Sequence, residues 1–357
     1  MHAIPVGSPV APASLRLIAE QVEARVDEVL GAEIERWQAF EPQLAEPLGA
    51  LRSLVMSGAK RLRPAFCHWG HVAAGGDPAD PRLVDAGAAL ELLQAFALLH
   101  DDVMDGSAVR RGFRTAHLTF ADHHQQEGWR GEGRRFGEGL AVLVGDLAHV
   151  YADRLLVEAP ADAKRTWAEL RIELNIGQCL DVFGTARADT DLPTARRIAR
   201  YKSGKYTVER PLHLGAAFAG RLDAYSEVLS AYGDPLGEAF QLRDDLLGAF
   251  GDTLRTGKPV GDDLREGKPT PLLALAVSRA EPAHRELLGR VGAVDLTADE
   301  IGALQQVLEE TGARAQVEAD VEALARQAVD AIEGAPIPAE ACDALVELAV
   351  FIAARDT

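Results

Sequence analysis

Two apolar helical runs, each ending in paired aspartates, constrain this chain most. The first, Leu90 to Leu99, is broken only by Glu91 and Gln94 and runs into His100-Asp101-Asp102-Val103-Met104-Asp105. On a helix Asp101 and Asp105 lie at i and i+4 with Asp102 one position round, so the carboxylates line one rim of the helix end. Like charges this close repel and call for a counter-charge. Mg²⁺, which takes one or two carboxylates together with substrate phosphates, is the natural one. Just downstream, Arg110 and Arg111 offer planar forks suited to phosphate oxygens. A lone cluster of this kind also describes a solvated helix end. A second copy, Phe240-Gln241-Leu242-Arg243-Asp244-Asp245-Leu246-Leu247-Gly248, changes the weighing. Two such helices facing each other would make a cage with carboxylates on both walls.

Elsewhere the pattern is helical and the basic elements are local. From Ala13 to about Trp37 the residues Leu15, Ile18, Val22, Val26 and Val29 recur at helical spacing. Ser57-Gly58-Ala59-Lys60-Arg61-Leu62-Arg63-Pro64 sets Lys60 and Arg63 near a helix N-terminus, where backbone N–H groups and the dipole favour an anion. A basic loop that merely solubilises a turn fits that segment too. Gln94, two turns before Asp101, is placed either to meet substrate or to satisfy a neighbouring helix. Residues 122–139, with His123, His124 and five glycines, read as a loop or lid, and Gly145-Asp146 reads as an interruption of a helix over 140–158. Gln178 and Asp181 share a face of the next helix, and Lys202-Ser203-Gly204 is a basic element whose glycine marks a kink or a close approach. Lys258 and Lys268 lie in a flexible loop that is no Walker A motif, because Pro259 follows Lys258 and no strand precedes it. No stretch alternates as a strand bounded by hairpin turns. The expectation is an all-α chain, a single domain over residues 1–357 built as one large helical bundle, with a flexible arm at 1–12.

Bulk properties exclude several classes. At 357 residues, one large helical domain is possible. A net charge of −18 argues against nucleic acid as a general partner. Cys67, Cys179 and Cys342 stand far apart with no metal-ligand spacing, which predicts a reducing, cytoplasmic setting. No run approaches 18 apolar residues and the first residues lack a basic stretch before an apolar one, so neither membrane insertion nor a secretory signal is expected.

Taken in order, GxKxxRP, DDxxD with RRG behind it, GQxxD, K[ST]G, FQxxDD and GKxxGxDxxxGK make the chain resemble the trans-isoprenyl diphosphate synthases, or polyprenyl synthetases, over residues 40–300. The resemblance implies a helical bundle around a deep central cavity, normally a homodimer, that condenses isopentenyl diphosphate with an allylic diphosphate using three Mg²⁺ ions. It makes Asp101, Asp105 and Asp244 the direct metal ligands, with Asp102 and Asp245 as second ligands or orienters. Arg110, Lys202 and Lys258 would neutralise the allylic diphosphate, and Lys60, Arg63, Gln94 and Arg111 would bind that of isopentenyl diphosphate. Gln178, Asp181 and Gln241 would line the inner polar wall, Ser203 would bind substrate, and Lys268 would sit on a closing loop.

Two positions depart from the family pattern. Gly248 stands where many members have a third aspartate, and Ala59 where a second glycine is common. Phe96 and Ala97, five and four residues before Asp101, are the expected chain-length determinants. A bulky residue beside a small one, with no insertion inside DDxxD, points to geranylgeranyl diphosphate, with farnesyl diphosphate as the alternative. A class I terpene cyclase would instead carry an NDxxSxxxE-type second motif and would need no second diphosphate pocket.

Overall fold

The computed structural model describes residues 11–251 and 260–355. Apart from one short hairpin these residues are all-α. The helices are α1 (Ala13–Phe40), α2 (Ala45–Met56), α3 (Leu62–Ala73) and α4 (Arg82–Asp105), followed by the strands β1 (Val109–Arg110) and β2 (Phe113–Arg114). Then come α5 (Ala116–Gln126), α6 (Gly133–Leu155), α7 (Ala161–Arg187), α8 (Leu192–Ala199), a π-helix over Arg200–Glu209, α9 (Arg210–Phe218) and α10 (Leu222–Phe250). The chain closes with α11 (Asp262–Glu266), α12 (Pro271–Arg279), α13 (Pro282–Leu288), α14 (Ala298–Glu310), α15 (Ala313–Glu333) and α16 (Ala339–Ala354). The arm expected at 1–12 lies, except for its last two residues, outside the described residues, as does Lys258. Backbone contacts divide the chain into two compact units, Ala13–His68 with Asp77–Pro160, and Trp69–Gly76 with the chain from Ala161 onward.

In the N-terminal unit α4 is the core helix. Leu83, Ala86, Leu90, Leu92, Leu93, Ala95 and Leu99 are buried between α1 and α6. Its small residues set the packing distance, since a Cβ on Gly87 would stand 2.6 Å from the Val22 side chain. Gly106, at φ 66°, ends the helix in the left-handed conformation and returns its N–H to the Asp102 carbonyl. By length and composition α4 is also apolar enough to cross a membrane, with a mean hydropathy of 1.4, although 61% of that window is buried. Glu91 and Gln94 still break its apolar run, and buried core helices meet the same criterion of length and composition.

Two expectations are corrected here. The loop or lid at 122–139 is mostly helix, because α5 runs on to Gln126 and α6 begins at Gly133. His123 Nδ1 pairs with Glu46 at 2.6 Å and His124 Nε2 meets the Arg130 carbonyl at 3.0 Å, while both rings pack on Trp129. These histidines therefore hold the α5–α6 connection together. Gly145 does not interrupt α6. A Cβ there would overlap the His100 ring, so the glycine serves a close approach of α6 to α4.

In the C-terminal unit α10 is central, packed by α15, the π-helix, α9 and α16. Gly204 and Gly237 let the π-helix and α10 touch backbone to backbone, as a Cβ on Gly237 would lie 2.6 Å from the Gly204 carbonyl oxygen. On the opposite side a Cβ on Gly177 of α7 would overlap the backbone of Lys202. The glycine expected to mark a close approach at 204 thus sits in a ten-residue π-helix wedged between α7 and α10.

Candidate active site

Within the N-terminal unit, Gln94, Ala97, Leu98, Asp101 and Asp105 form a half-buried stripe on one side of an otherwise buried helix. Their spacing brings them to one face. Asp102, one position round, is 3% exposed. Arg110 accounts for its burial: Nη2 lies 2.5 Å and Nε 2.7 Å from Asp102 Oδ1, and Nη2 also reaches Asp101 Oδ2 at 3.4 Å. The hairpin delivers this arginine. Its two-residue turn, Arg111 at φ 52° and Gly112 at φ 80°, has the positive dihedrals that a tight hairpin of right-twisted strands requires. Phe96 lies about 140° round the helix from Asp101. Its ring stacks on His149 of α6 at 4.8 Å and packs on His100 at 4.6 Å. Ala97 stays on the aspartate face. Lys60 and Arg63, both half-buried, flank the start of α3 as their spacing predicts. Arg111 docks on the end of α2, donating from Nη1 to the Leu54 carbonyl at 3.3 Å and to Ser57 Oγ at 3.2 Å.

The C-terminal unit carries the second acidic cluster on α10. Asp245 is buried, and Gln241 Nε2 donates to its Oδ1 at 2.7 Å. Its Oδ2 has no hydrogen-bond partner among the described residues. Burial, and then the charges of Asp263 and Asp244, push its carboxyl well above the usual range. Asp244 is more open and accepts at Oδ1 from Arg355 Nη2 at 2.5 Å. Arg355 also donates to the Phe240 carbonyl at 3.0 Å and lies over the Phe240 ring. A Cβ on Gly248 would overlap the Asp263 carboxylate, so a carboxylate group occupies the place of the absent side chain. Lys268 Nζ pairs with Glu266 at 2.6 Å and approaches Asp263 at 3.8 Å. The Gly177 contact fixes the Lys202 backbone four residues before Asp181 of α7, and Lys202 Nζ meets Asp181 Oδ2 at 2.5 Å. Gln178 and Ser203 are half-buried nearby in sequence.

The donor set fits a hard cation. Its groups are carboxylate oxygens, and the buried, unpartnered oxygen of Asp245 is stabilised by a cation or a proton. Asp263, Arg355, Glu91 and Arg61 are polar residues of these surroundings that pattern reading passed over. Arg61 and Asp263 sit inside motifs already singled out. Glu91 and Arg355 carry no local signal, because their partners are far away in sequence.

The polyprenyl synthetase family model matches residues 45–310. The chain belongs to the polyprenyl synthetase family. Among its relatives is a geranylfarnesyl diphosphate synthase of Aeropyrum pernix, 32% identical over 68% of this chain and 74% of that one. A (2E,6E)-farnesyl diphosphate synthase of Mycobacterium bovis is 31% identical over 83% of this chain and 79% of its own. Among solved structures, a geranylgeranyl pyrophosphate synthase from Corynebacterium glutamicum, complexed with isoprenyl diphosphate and magnesium, superposes with a TM-score of 0.90 at 36% identity, covering 95% of this chain and 98% of that one. This polyprenyl synthetase is a prenyltransferase of the short-chain isoprenyl diphosphate synthase kind.

Proposed function

We propose that this polyprenyl synthetase condenses isopentenyl diphosphate with dimethylallyl, geranyl or farnesyl diphosphate and releases geranylgeranyl diphosphate. The observation that carries this reading is the α4 stripe, in which two carboxylates stand at one end and Ala97 and Gln94 continue the same face. Asp101, Asp105 and Asp244 would hold Mg²⁺, up to three ions with the substrate diphosphate, and Asp102 and Asp245 would orient them. Bound there, the metal supplies the Lewis acid that draws charge onto the departing diphosphate. Arg110, Lys202 and Lys258 would share that charge, and Lys268 would close over it. Lys60, Arg63, Gln94 and Arg111 would hold the diphosphate of isopentenyl diphosphate, Ser203 would bind substrate, and Gln178, Asp181 and Gln241 would provide the polar wall. The allylic C–O bond breaks, the alkene of isopentenyl diphosphate forms the new C–C bond, and the released pyrophosphate takes the proton. The apolar lining of α4 keeps water from the cation.

Ala97 supports a product longer than farnesyl diphosphate, because a small residue on the aspartate face leaves room for the growing chain. Phe96 would back that wall from the side of His149. The relatives span farnesyl to geranylfarnesyl products, so product length is the quantity to measure. Each primer, incubated with isopentenyl diphosphate and Mg²⁺, is expected to yield a twenty-carbon prenol after phosphatase treatment. A fifteen-carbon stop would move the reading to a farnesyl diphosphate synthase, and hydrocarbon released from an allylic diphosphate alone would replace it with a cyclase.

A homodimer is part of the same proposal. On α6 Leu143, Leu147 and Val150 are exposed at helical spacing, and on α7 Ile172, Ile176 and Phe183 are likewise exposed. Apolar stripes of this kind mark protein contacts, and light scattering of the purified chain would give the stoichiometry. The whole chain would act as one isoprenoid synthase domain in the cytoplasm, without nucleic acid or membrane insertion, where its free cysteines stay reduced.

A further inference from the structure

Arg61 is the outlier of the basic segment. It stands between Lys60 and Arg63, yet it is 2% exposed and adopts φ 52°, a left-handed conformation that costs a non-glycine residue about 1–2 kcal/mol. Its guanidinium is fully engaged. Nε donates to Glu23 Oε1 of α1 at 3.0 Å, Nη1 to Glu91 Oε2 of α4, and Nη2 to the Val55 carbonyl near the end of α2 at 2.5 Å. Glu91 is itself 3% exposed, one turn before Gln94. Burial works against the charge of Arg61, but Glu91 and Glu23 outweigh it and hold the group protonated.

A second guanidinium, that of Arg111, feels the same carboxylate. Burial lowers the pKa of Arg111, Glu91 opposes that shift, and Arg61, Arg110 and Arg63 reinforce it. Arg61 and Arg111 thus share the field of one buried glutamate. A free Glu91 carboxylate would draw the nearest guanidinium inward, because a buried charge without a partner is expensive.

We propose that Arg61 is a positioning residue of the second diphosphate site: it occupies Glu91, so that Arg111 keeps its place against Leu54 and Ser57 and the segment of Lys60 and Arg63 keeps its place at the start of α3. The inference rests on the condensation proposed above. Arg61 does not touch substrate. It ties α1, α2 and α4 to the segment that carries Lys60 and Arg63, and its strained backbone is held by the side chain that does the tying.

The test is steady-state kinetics with each substrate varied in turn. Arg61→Met is expected to raise KM for isopentenyl diphosphate about tenfold, leaving KM for the allylic primer within about twofold and kcat less affected. Adding Glu91→Gln, which removes the unpaired charge, is expected to bring KM for isopentenyl diphosphate part of the way back. Arg61→Lys, which keeps the charge but not the three-way fork, should fall between the two, and it decides by the same split if Arg61→Met melts below the assay temperature. Equal changes in both KM values, or a double variant no better than Arg61→Met, would overturn the inference while leaving the condensation standing. Failure of the wild-type enzyme to condense isopentenyl diphosphate would remove the reading beneath it.

Discussion

The carboxylate of Asp263 fills the space in which a side chain on Gly248 would begin. The two residues are far apart in sequence, and one explains the other: the carboxylate missing from the second acidic cluster is returned to it by the start of α11. A side chain at 248 therefore forces Asp263 to move. Gly248→Ala is expected to cost about 1–3 kcal/mol through overpacking and to raise the Mg²⁺ concentration needed for half-maximal turnover. Asp263→Asn should raise that concentration without the stability loss. A magnesium titration and a melting curve of each variant check this.

Asp101 and Asp102 are neighbours with opposite consequences when removed. Asp101→Ala or Asp105→Ala is expected to abolish turnover and leave the melting temperature unchanged or higher, since each removal relieves like-charge repulsion. Asp102→Ala is expected to cost about 3 kcal/mol or more, because it leaves the largely buried Arg110 without its main carboxylate. Wild-type rates in Asp101→Ala would refute the metal assignment.

Product length offers a separate handle. Phe96 lies between His100 and His149. Phe96→Ser should open the wall behind Ala97, lengthen the product and cost about 3 kcal/mol through the cavity it leaves. An unchanged product would place the floor at another residue. Ala97→Phe should shorten the product, read by the same chromatography of prenols.

Two buried histidines make stability depend on pH. Burial, the largest cause for each, lowers the pKa of His117 and His213 from the ordinary value of 6.5. The unfolded chain therefore binds these protons more readily than the folded one. Stability is full above pH 6.5 and is lost as pH falls through the depressed folded values. Melting temperatures recorded from about pH 7.5 down to pH 5 should show this decline. His213→Gln should flatten it, because an amide has no proton to take up.

Much of the architecture was legible because it depends on local spacing. The apolar runs of α4 and α10, their terminal aspartates, the start of α3 after Lys60 and the pairing of Gln178 with Asp181 on one face all follow from a period of 3.6 residues. Gly145 was misread because glycine marks both helix breaks and close helix contacts, and only the His100 ring across from it tells them apart. Residues 122–139 were misread because polar, glycine-rich composition hides helices anchored by His123, His124 and Trp129. The π-helix needs glycines on two other helices to exist. Glu91 and Arg355 matter through partners that no window along the chain contains.

The aspartates of α4 also bear on how the protein reaches its folded state. By length and composition alone, a nascent α4 would suit a bilayer until α1 and α6 cover it. An aspartate costs about 3 kcal/mol at the centre of a membrane helix and less toward its end. Asp101, Asp102 and Asp105 thus weigh against a wrong destination before they have any metal to hold. A variant stripped of all three would lose a ligand set and, in the same stroke, the marks that keep a nascent segment in water.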